Sequence, residues 1–282
     1  MISLLLALQM FSPTDPAVLR PIYEKAIVLR SKEFGEKSVQ AARTMIDYAK
    51  FLAKAGDIRT SIEWIQKAVA IEPNLEDKQM LAILLEPSDA SASAELHLEI
   101  AKRAKGELAA VSFSRLGALA EEHGEIASAE NAYRTAVAQS GNEEKLAIRM
   151  NTLALLMKTQ PAKKGETEAL FRRAMAIQQR KLGPKHPELG ITLNNLSSLL
   201  LDSNRAAEAE PLARRALDIF DASVGPEHVR SALAASNLAD VLSARGQTAQ
   251  ARKLYERALA VFERRLGPDH AWTIDARAAL RQ

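Results

Sequence analysis

Three histidines stand at a constant interval of 42 residues, His186, His228 and His270. Imidazole is a ready metal ligand and a general base near neutral pH, so a periodic set invites a zinc reading. The interval argues against it. In a chain that repeats every 42 residues, equivalent positions fall in successive units, about 10 Å apart, whereas zinc ligands converge within about 2.1 Å of one ion. The three therefore read as helix-start residues. His97 and His123 stand singly, without companions. Carboxylates are plentiful, as at Glu121-Glu122 and Glu208/Glu210, but charges flanking helical turns form a solvated face. No phosphate-cradling glycine loop, G-x-S-x-G elbow, H-E-x-x-H pair or calcium-loop spacing occurs. With no cysteine in the chain, thiolate metal sites, thiol redox chemistry and disulfides are excluded. The residues point to no catalytic group, no metal and no cofactor, so the chain is not expected to be an enzyme.

The elements around the histidines carry more information. Each histidine closes a tetrad, Gly183-Pro184-Lys185-His186, Gly225-Pro226-Glu227-His228 or Gly267-Pro268-Asp269-His270. Between tetrads the content recurs. A helix is written around Leu193-Asn194-Asn195-Leu196 or Ser236-Asn237-Leu238, a polar turn follows, and a second helix runs to Arg214-Arg215-Ala216-Leu217 or Glu256-Arg257-Ala258-Leu259. Leu193, Leu196, Leu200 and Leu201 share one face of the first helix, and Ala209, Leu212, Ala213, Ala216 and Leu217 form a matching stripe on the second. Alanine lets two backbones approach closely while leucine fills the space between turns. The glycine supplies the left-handed residue that ends the second helix, and the proline cannot continue it. One helical hairpin cannot bury its own apolar face, so it must stack on the next.

The order Leu-Asn-Asn-Leu, Ala-x-x-x-Ala-x-x-Ala-Leu, Leu-Gly-Pro-x-His resembles the tetratricopeptide repeat in the longer variety of kinesin light chains. The match is specific over residues 183–282. Upstream, Phe113, Leu116-Gly117, Gly124, Ala129, Tyr133 and Ala136 resemble the ordinary shorter repeat. The resemblance implies an all-α, right-handed superhelical solenoid of stacked antiparallel hairpins, about six pairs in all.

In chain order, the apolar residues 1–12 fit either an export signal or a clipped first helix. The basic start and small-residue cleavage site of a signal are missing, while Leu6 keeps the repeat distance from Tyr48. Cytoplasmic and exported locations both stay open. Residues 13–73 form N-terminal units, in which Trp64 is expected to cap a groove between helices. Residues 74–106 form a degenerate unit, with Pro87 and the run from Ser88 to Ser91 marking its turn. Two central units fill 107–182, and the second carries an enlarged basic turn, Lys158 to Gly165, read as exposed and mobile. Two long units fill 183–267, and 268–282 is a terminal helix covering an open face. The equivalent inward positions are Tyr48, Leu81, Leu116, Leu153, Leu196 and Leu238.

Aromatics make up only 5% of the chain, so alanine and leucine must carry the packing, which suits helix on helix and not β-structure. The 38 basic and 35 acidic residues nearly cancel, and no Lys/Arg stripe interleaved with aromatics is present, so nucleic acid is not an expected partner. No stretch spans a bilayer. What remains is a protein or peptide ligand bound by shape on the concave face, which the first helix of each pair lines. The polar candidates there are Arg43, Lys50, Ser114, Asn151, Asn194, Asn195, Ser198, Asn237 and Asp240. By the resemblance, Asn194, Asn195 and Asn237 can hydrogen-bond the backbone of an extended peptide. Equally, those amides can bond to the neighbouring helix or its loops. The pattern departs from the family at Ser236 and Thr152. The alternative is a structural, self-associating module that uses the N-terminal apolar stretch or the basic turn at Lys163-Lys164.

Overall fold

The computed structural model describes residues 16–281. The N-terminal stretch read as a signal or a clipped helix lies outside the described residues. Those described form fourteen α-helices, one 3₁₀ turn and no strand. They run α1 (Pro16–Phe34), α2 (Val39–Lys54), α3 (Ile58–Ile71), α4 (Leu75–Leu85), α5 (Ala90–Arg103), α6 (Gly106–Glu122), α7 (Ile126–Gln139), α8 (Glu143–Lys158), the 3₁₀ turn (Pro161–Lys163), α9 (Lys164–Lys181), α10 (Pro187–Leu201), α11 (Ala206–Ser223), α12 (Val229–Ala244), α13 (Thr248–Leu266) and α14 (Ala271–Ala279). The described residues are all-α, and α2–α3, α4–α5, α8–α9, α10–α11 and α12–α13 pack as helix pairs. It divides into two compact units, one up to Leu119 and one from Ala120.

In the first unit, α1, α2, α3 and α4 enclose a core of Ile27, Met45, Leu52, Ile65, Leu81 and Leu85 around Tyr48. Tyr48 is 1% exposed and stacks on Tyr23, with ring centroids 5.2 Å apart. Its hydroxyl donates to Glu24 Oε1 at 3.1 Å. Burial, with that carboxylate second, pushes the phenol up to about 12. Trp64 is half-buried against Tyr48 at 5.5 Å, and Lys67 Nζ lies 4.4 Å from its ring centroid.

In the second unit the helices of each pair pack against one another and against the next pair, and the first helices α8, α10 and α12 run side by side. The contact surfaces are alanine-rich, as the repeat pattern requires. Ala154, Ala174, Ala213, Ala216, Ala235, Ala239 and Ala258 are all at 0% exposure. Gly190 marks one close approach, where an added Cβ would meet Ile219 and Phe220 at 3.1 Å. Leu153, Leu196 and Leu238 are buried as expected, while Leu116, in the first unit, is only half-buried.

The hairpin turns repeat one construction. The backbone N–H of Asp57, Glu125, Arg205 and Gln247 donates to the carbonyl five residues earlier, at 2.9, 2.8, 2.9 and 2.8 Å. The residue just before each is left-handed, and it is Gly56, Gly124, Asn204 (φ 58°) and Gly246. Asparagine is the side chain that tolerates that conformation best after glycine, so the Asn204 turn keeps the shape. Longer links tie successive repeats. Arg215 donates to the Pro184 carbonyl and Arg257 to the Pro226 carbonyl, each at 3.4 Å, so the second helix of one repeat holds the Gly-Pro loop before it.

Ala216→Phe and Ala258→Phe insert a ring where no space exists, and each is expected to lower stability by roughly 1–3 kcal/mol. His228→Ala removes one exposed cap and is expected to cost under about 1 kcal/mol. Urea melts of the three variants check the ranking, and the reverse order would contradict this packing.

Candidate functional site

The periodic histidines begin helices. His186, His228 and His270 precede α10, α12 and α14, and in each the ring Nδ1 accepts a hydrogen bond from the backbone N–H two residues on, at 3.2, 3.1 and 3.2 Å. Nδ1 must therefore carry a lone pair and Nε2 the proton. Elsewhere the same task falls to Ser38, Asp57, Asn74, Asp89 and Asn142. No group of three or more metal-ligating side chains occurs among the described residues.

The polar candidates converge most in the second unit. A groove of about 310 Å³ opens over α10 and α12 and reaches α13 and α14. Asn194, Asn195, Ser198, Asn237 and Asp240 line it. Spacings of three and four residues, Asn194 to Ser198 on α10 and Asn237 to Asp240 on α12, bring these side chains to one face of each helix. The asparagines form rungs between neighbouring first helices. Asn195 Nδ2 donates to Asn151 Oδ1 at 3.3 Å, linking α10 to α8. Asn237 Nδ2 donates to Asn194 Oδ1 at 3.1 Å and to the Asn194 carbonyl at 3.3 Å, linking α12 to α10. Asn237 is thereby 9% exposed, more enclosed than a surface candidate, and it is the inter-helix bonding of these amides that the structure realises. The Asn194 amide N–H groups and Asn237 Oδ1 keep unused capacity among the described residues.

Asp240 is exposed as a residue, yet its carboxyl sits down among groove atoms and accepts from the Tyr255 hydroxyl at 2.5 Å. Desolvation raises its pKa, the Tyr255 bond opposes that, and Asp202 and Asp275 add to the rise. Burial, then the Asp240 hydrogen bond, raises the Tyr255 phenol. Tyr255, Phe262, Trp272 and Asp275 are groove residues that periodicity did not single out. They come from α13 and α14.

The remaining candidates lie apart from this groove. Asn151 contributes through its bond to Asn195. Arg43 and Lys50 are exposed on α2 of the first unit, beside Asp47 on the same stripe. Ser114 on α6 is half-buried and donates back to the Ala110 carbonyl at 2.9 Å.

Two expectations need correction. The basic turn is tied down: Lys163 reaches Glu130 at 2.7 and 2.5 Å, and Lys164 reaches the Asp202 carbonyl at 3.0 Å. Lys163, with Gln160 and Arg134, holds the Glu130 carboxyl down to about 2. An internal acid with three donors around it was invisible in a run of lysines. His97 is likewise accompanied. It is 0% exposed, with Nδ1 3.2 Å from Ser112 Oγ and Nε2 3.6 Å from Glu86 Oε1. Arg115 Nε stands 3.3 Å from the same Glu86 oxygen, and Gln79 Nε2 reaches Ser112 Oγ at 3.4 Å. Serine, histidine and glutamate in sequence contact resemble a hydrolytic relay, but Ser112 is 0% exposed and no substrate can reach its hydroxyl.

Residues 165–222 and 230–280 match the family model of the tetratricopeptide repeat. No curated protein sequence matches the chain. Among solved structures it is similar to BtubC (BKLC) of P. vanneervenii, at 22% identity and a TM-score of 0.54 over 80% of this chain and 90% of that one. It is similar to pilF of Pseudomonas aeruginosa, at 18% identity and a TM-score of 0.59 over 84% and 96%. It is also similar to a Rap protein solved in complex with Competence and Sporulation Factor, at 15% identity and a TM-score of 0.57 over 86% and 70%. At these identities the likeness is one of fold. No helix among the described residues is long and apolar enough to cross a membrane.

The buried imidazole makes a pH prediction. Burial lowers the His97 pKa, Glu86 opposes the shift, and Arg115 adds to it. Between that lowered value and the unfolded value of about 6.5, the unfolded chain binds more protons. The stability from a neutral His97 is thus full above pH 6.5 and is lost as pH falls through the folded value. His97→Gln is expected to cost about 1–3 kcal/mol at pH 7.5 and to flatten the fall between pH 7.5 and pH 5. Urea unfolding of both proteins at a series of pH values measures the difference, and parallel curves would contradict it.

Proposed function

We infer that this chain of tetratricopeptide repeats is a non-catalytic interaction scaffold, and that it takes an extended segment of a protein partner in the groove over α10 and α12. Tetratricopeptide repeats in general mediate protein–protein contacts and serve as scaffolds, and this chain carries them. The observation that carries the finer reading is the line of asparagine amides along the groove floor. An extended peptide offers alternating N–H and C=O groups, and an amide side chain answers both. Asn237 and Asn194 are held in place by their mutual bonds, so a ligand would meet donors and acceptors that are already oriented. The groove is open along one side, which suits a chain threading through and not a small molecule enclosed on all sides. The enzyme reading gains nothing from the one serine–histidine contact, which is sealed in the core.

The test places a photo-crosslinking amino acid at Ser236, in the groove, and separately at the exposed Gln250 on α13. In extract of the native host, Ser236 is expected to capture a discrete partner that Gln250 does not. Asn194→Ala with Asn237→Ala is expected to reduce that capture. Capture from Gln250 alone would move the binding surface to the outer face and overturn the groove reading.

A further inference from the structure

We propose that the end of the groove bounded by α12, α13 and α14 is a seat for a basic side chain, arginine above lysine, of the segment the groove holds. The proposal rests on the groove reading and adds the chemistry of the ligand. Asp240 on α12 and Asp275 on α14 both line this end. Asp240 meets only the Tyr255 hydroxyl, and Asp275 has no hydrogen-bond or ion-pair partner among the described residues. The cation on the lining, Lys158, is already engaged by Asp202 at 3.1 Å and Ser198 at 2.5 Å. The end of the groove therefore carries uncompensated negative charge.

That state contrasts with several other carboxylates of the second unit. Those are matched by arginine or lysine: Glu168 by Arg205 at 2.6 Å and Glu166 by Arg134 at 2.5 Å across repeats, and Glu143 by Lys181 at 2.6 Å within one. The chain has more basic than acidic residues in total, yet among the described residues none pairs with Asp240 or Asp275. Burial is the main cause of the rise in the Asp240 pKa, and the charges of Asp202 and then Asp275 add to it. A cation brought in by the ligand would relieve it. The wall beside these acids is aromatic. Trp272 is 40% exposed, and its ring centroid is 6.0 Å from that of Phe262. A guanidinium can lie flat on an indole face while its N–H groups reach carboxylates, a combination that a lysine ammonium makes less well. Two carboxylates fall short of the six to eight oxygens that calcium gathers, and an anionic ligand would add to the repulsion.

The experiment uses the full chain and a bead-bound array of capped octapeptides in which one position is Arg, Lys, Gln or Glu and the others vary among uncharged residues. Kd values for the best Arg octapeptide and its Gln counterpart are then measured by fluorescence anisotropy. The Arg peptide is expected to bind about tenfold more tightly than the Gln peptide, with Lys between them. Asp275→Asn, at an exposed position without partners, is expected to shrink that ratio, and Asp240→Asn with Asp275→Asn to abolish it while Gln-peptide binding persists. Thermal melts check that the variants fold. Peptide binding without a basic preference, or a preference the double variant leaves intact, would overturn the seat and leave the groove standing. If no octapeptide bound the unaltered chain, the groove reading would fall and the seat with it.

Discussion

Alanine at the helix crossings is the constraint on which everything else in this protein depends. In the second unit Ala154, Ala174, Ala213, Ala216, Ala235 and Ala258 are fully enclosed. A methyl group there sets how near two helix backbones can come, and nearness sets how completely leucines such as Leu193, Leu196 and Leu238 are removed from water. The same approach brings first helices close enough for short amides to touch across it, as Asn195 does with Asn151 and Asn237 with Asn194. A larger residue at the crossings would part the helices and break those bonds. The polar floor of the groove is thus a consequence of the apolar packing beneath it.

Polar chemistry in the rest of the molecule serves mainly to end helices and join repeats. The three histidines spend their Nδ1 lone pairs on backbone N–H groups, which removes from those atoms the capacity a metal would need. Arg215 and Arg257 hold the Gly-Pro loops, and Arg205 bridges Glu168 and Glu208. The two acids and the open tryptophan at the α14 end of the groove have no such task. Residues that cement a repeat have partners in the repeat; these two acids have a hydroxyl and each other's field.

The first unit shows the opposite case, a buried imidazole and hydroxyl whose charged partners, Glu86 and Arg115, reach the surface. Glu86 and His97 come from the least regular pair, and Ser112 and Arg115 from the helix that follows it, α6. An imidazole in a core is tolerated when it is neutral and partnered. Ser112 partners Nδ1, while Nε2 has only a distant carboxylate, so this cluster is the place where acid is expected to act on the fold first.

The sequence by itself determined the helices, their pairing and the positions of the turns, because a 42-residue period, a two-helix apolar pattern and Gly-Pro punctuation are local signals that each repeat restates. It also placed Asn194, Asn195, Ser198, Asn237 and Asp240 on one face, since helical spacing fixes which side chains share a side. Only the tertiary structure decided what those side chains meet. Asn237 finds Asn194, 43 residues away, across the gap between repeats; Lys163 finds Glu130, 33 residues away; Trp272 and Asp275 reach the groove from a helix whose pattern spoke only of packing. Periodicity specifies an angle around one helix axis, whereas a polar contact needs the distance between two axes, and that distance is set by the summed packing of every alanine and leucine between them.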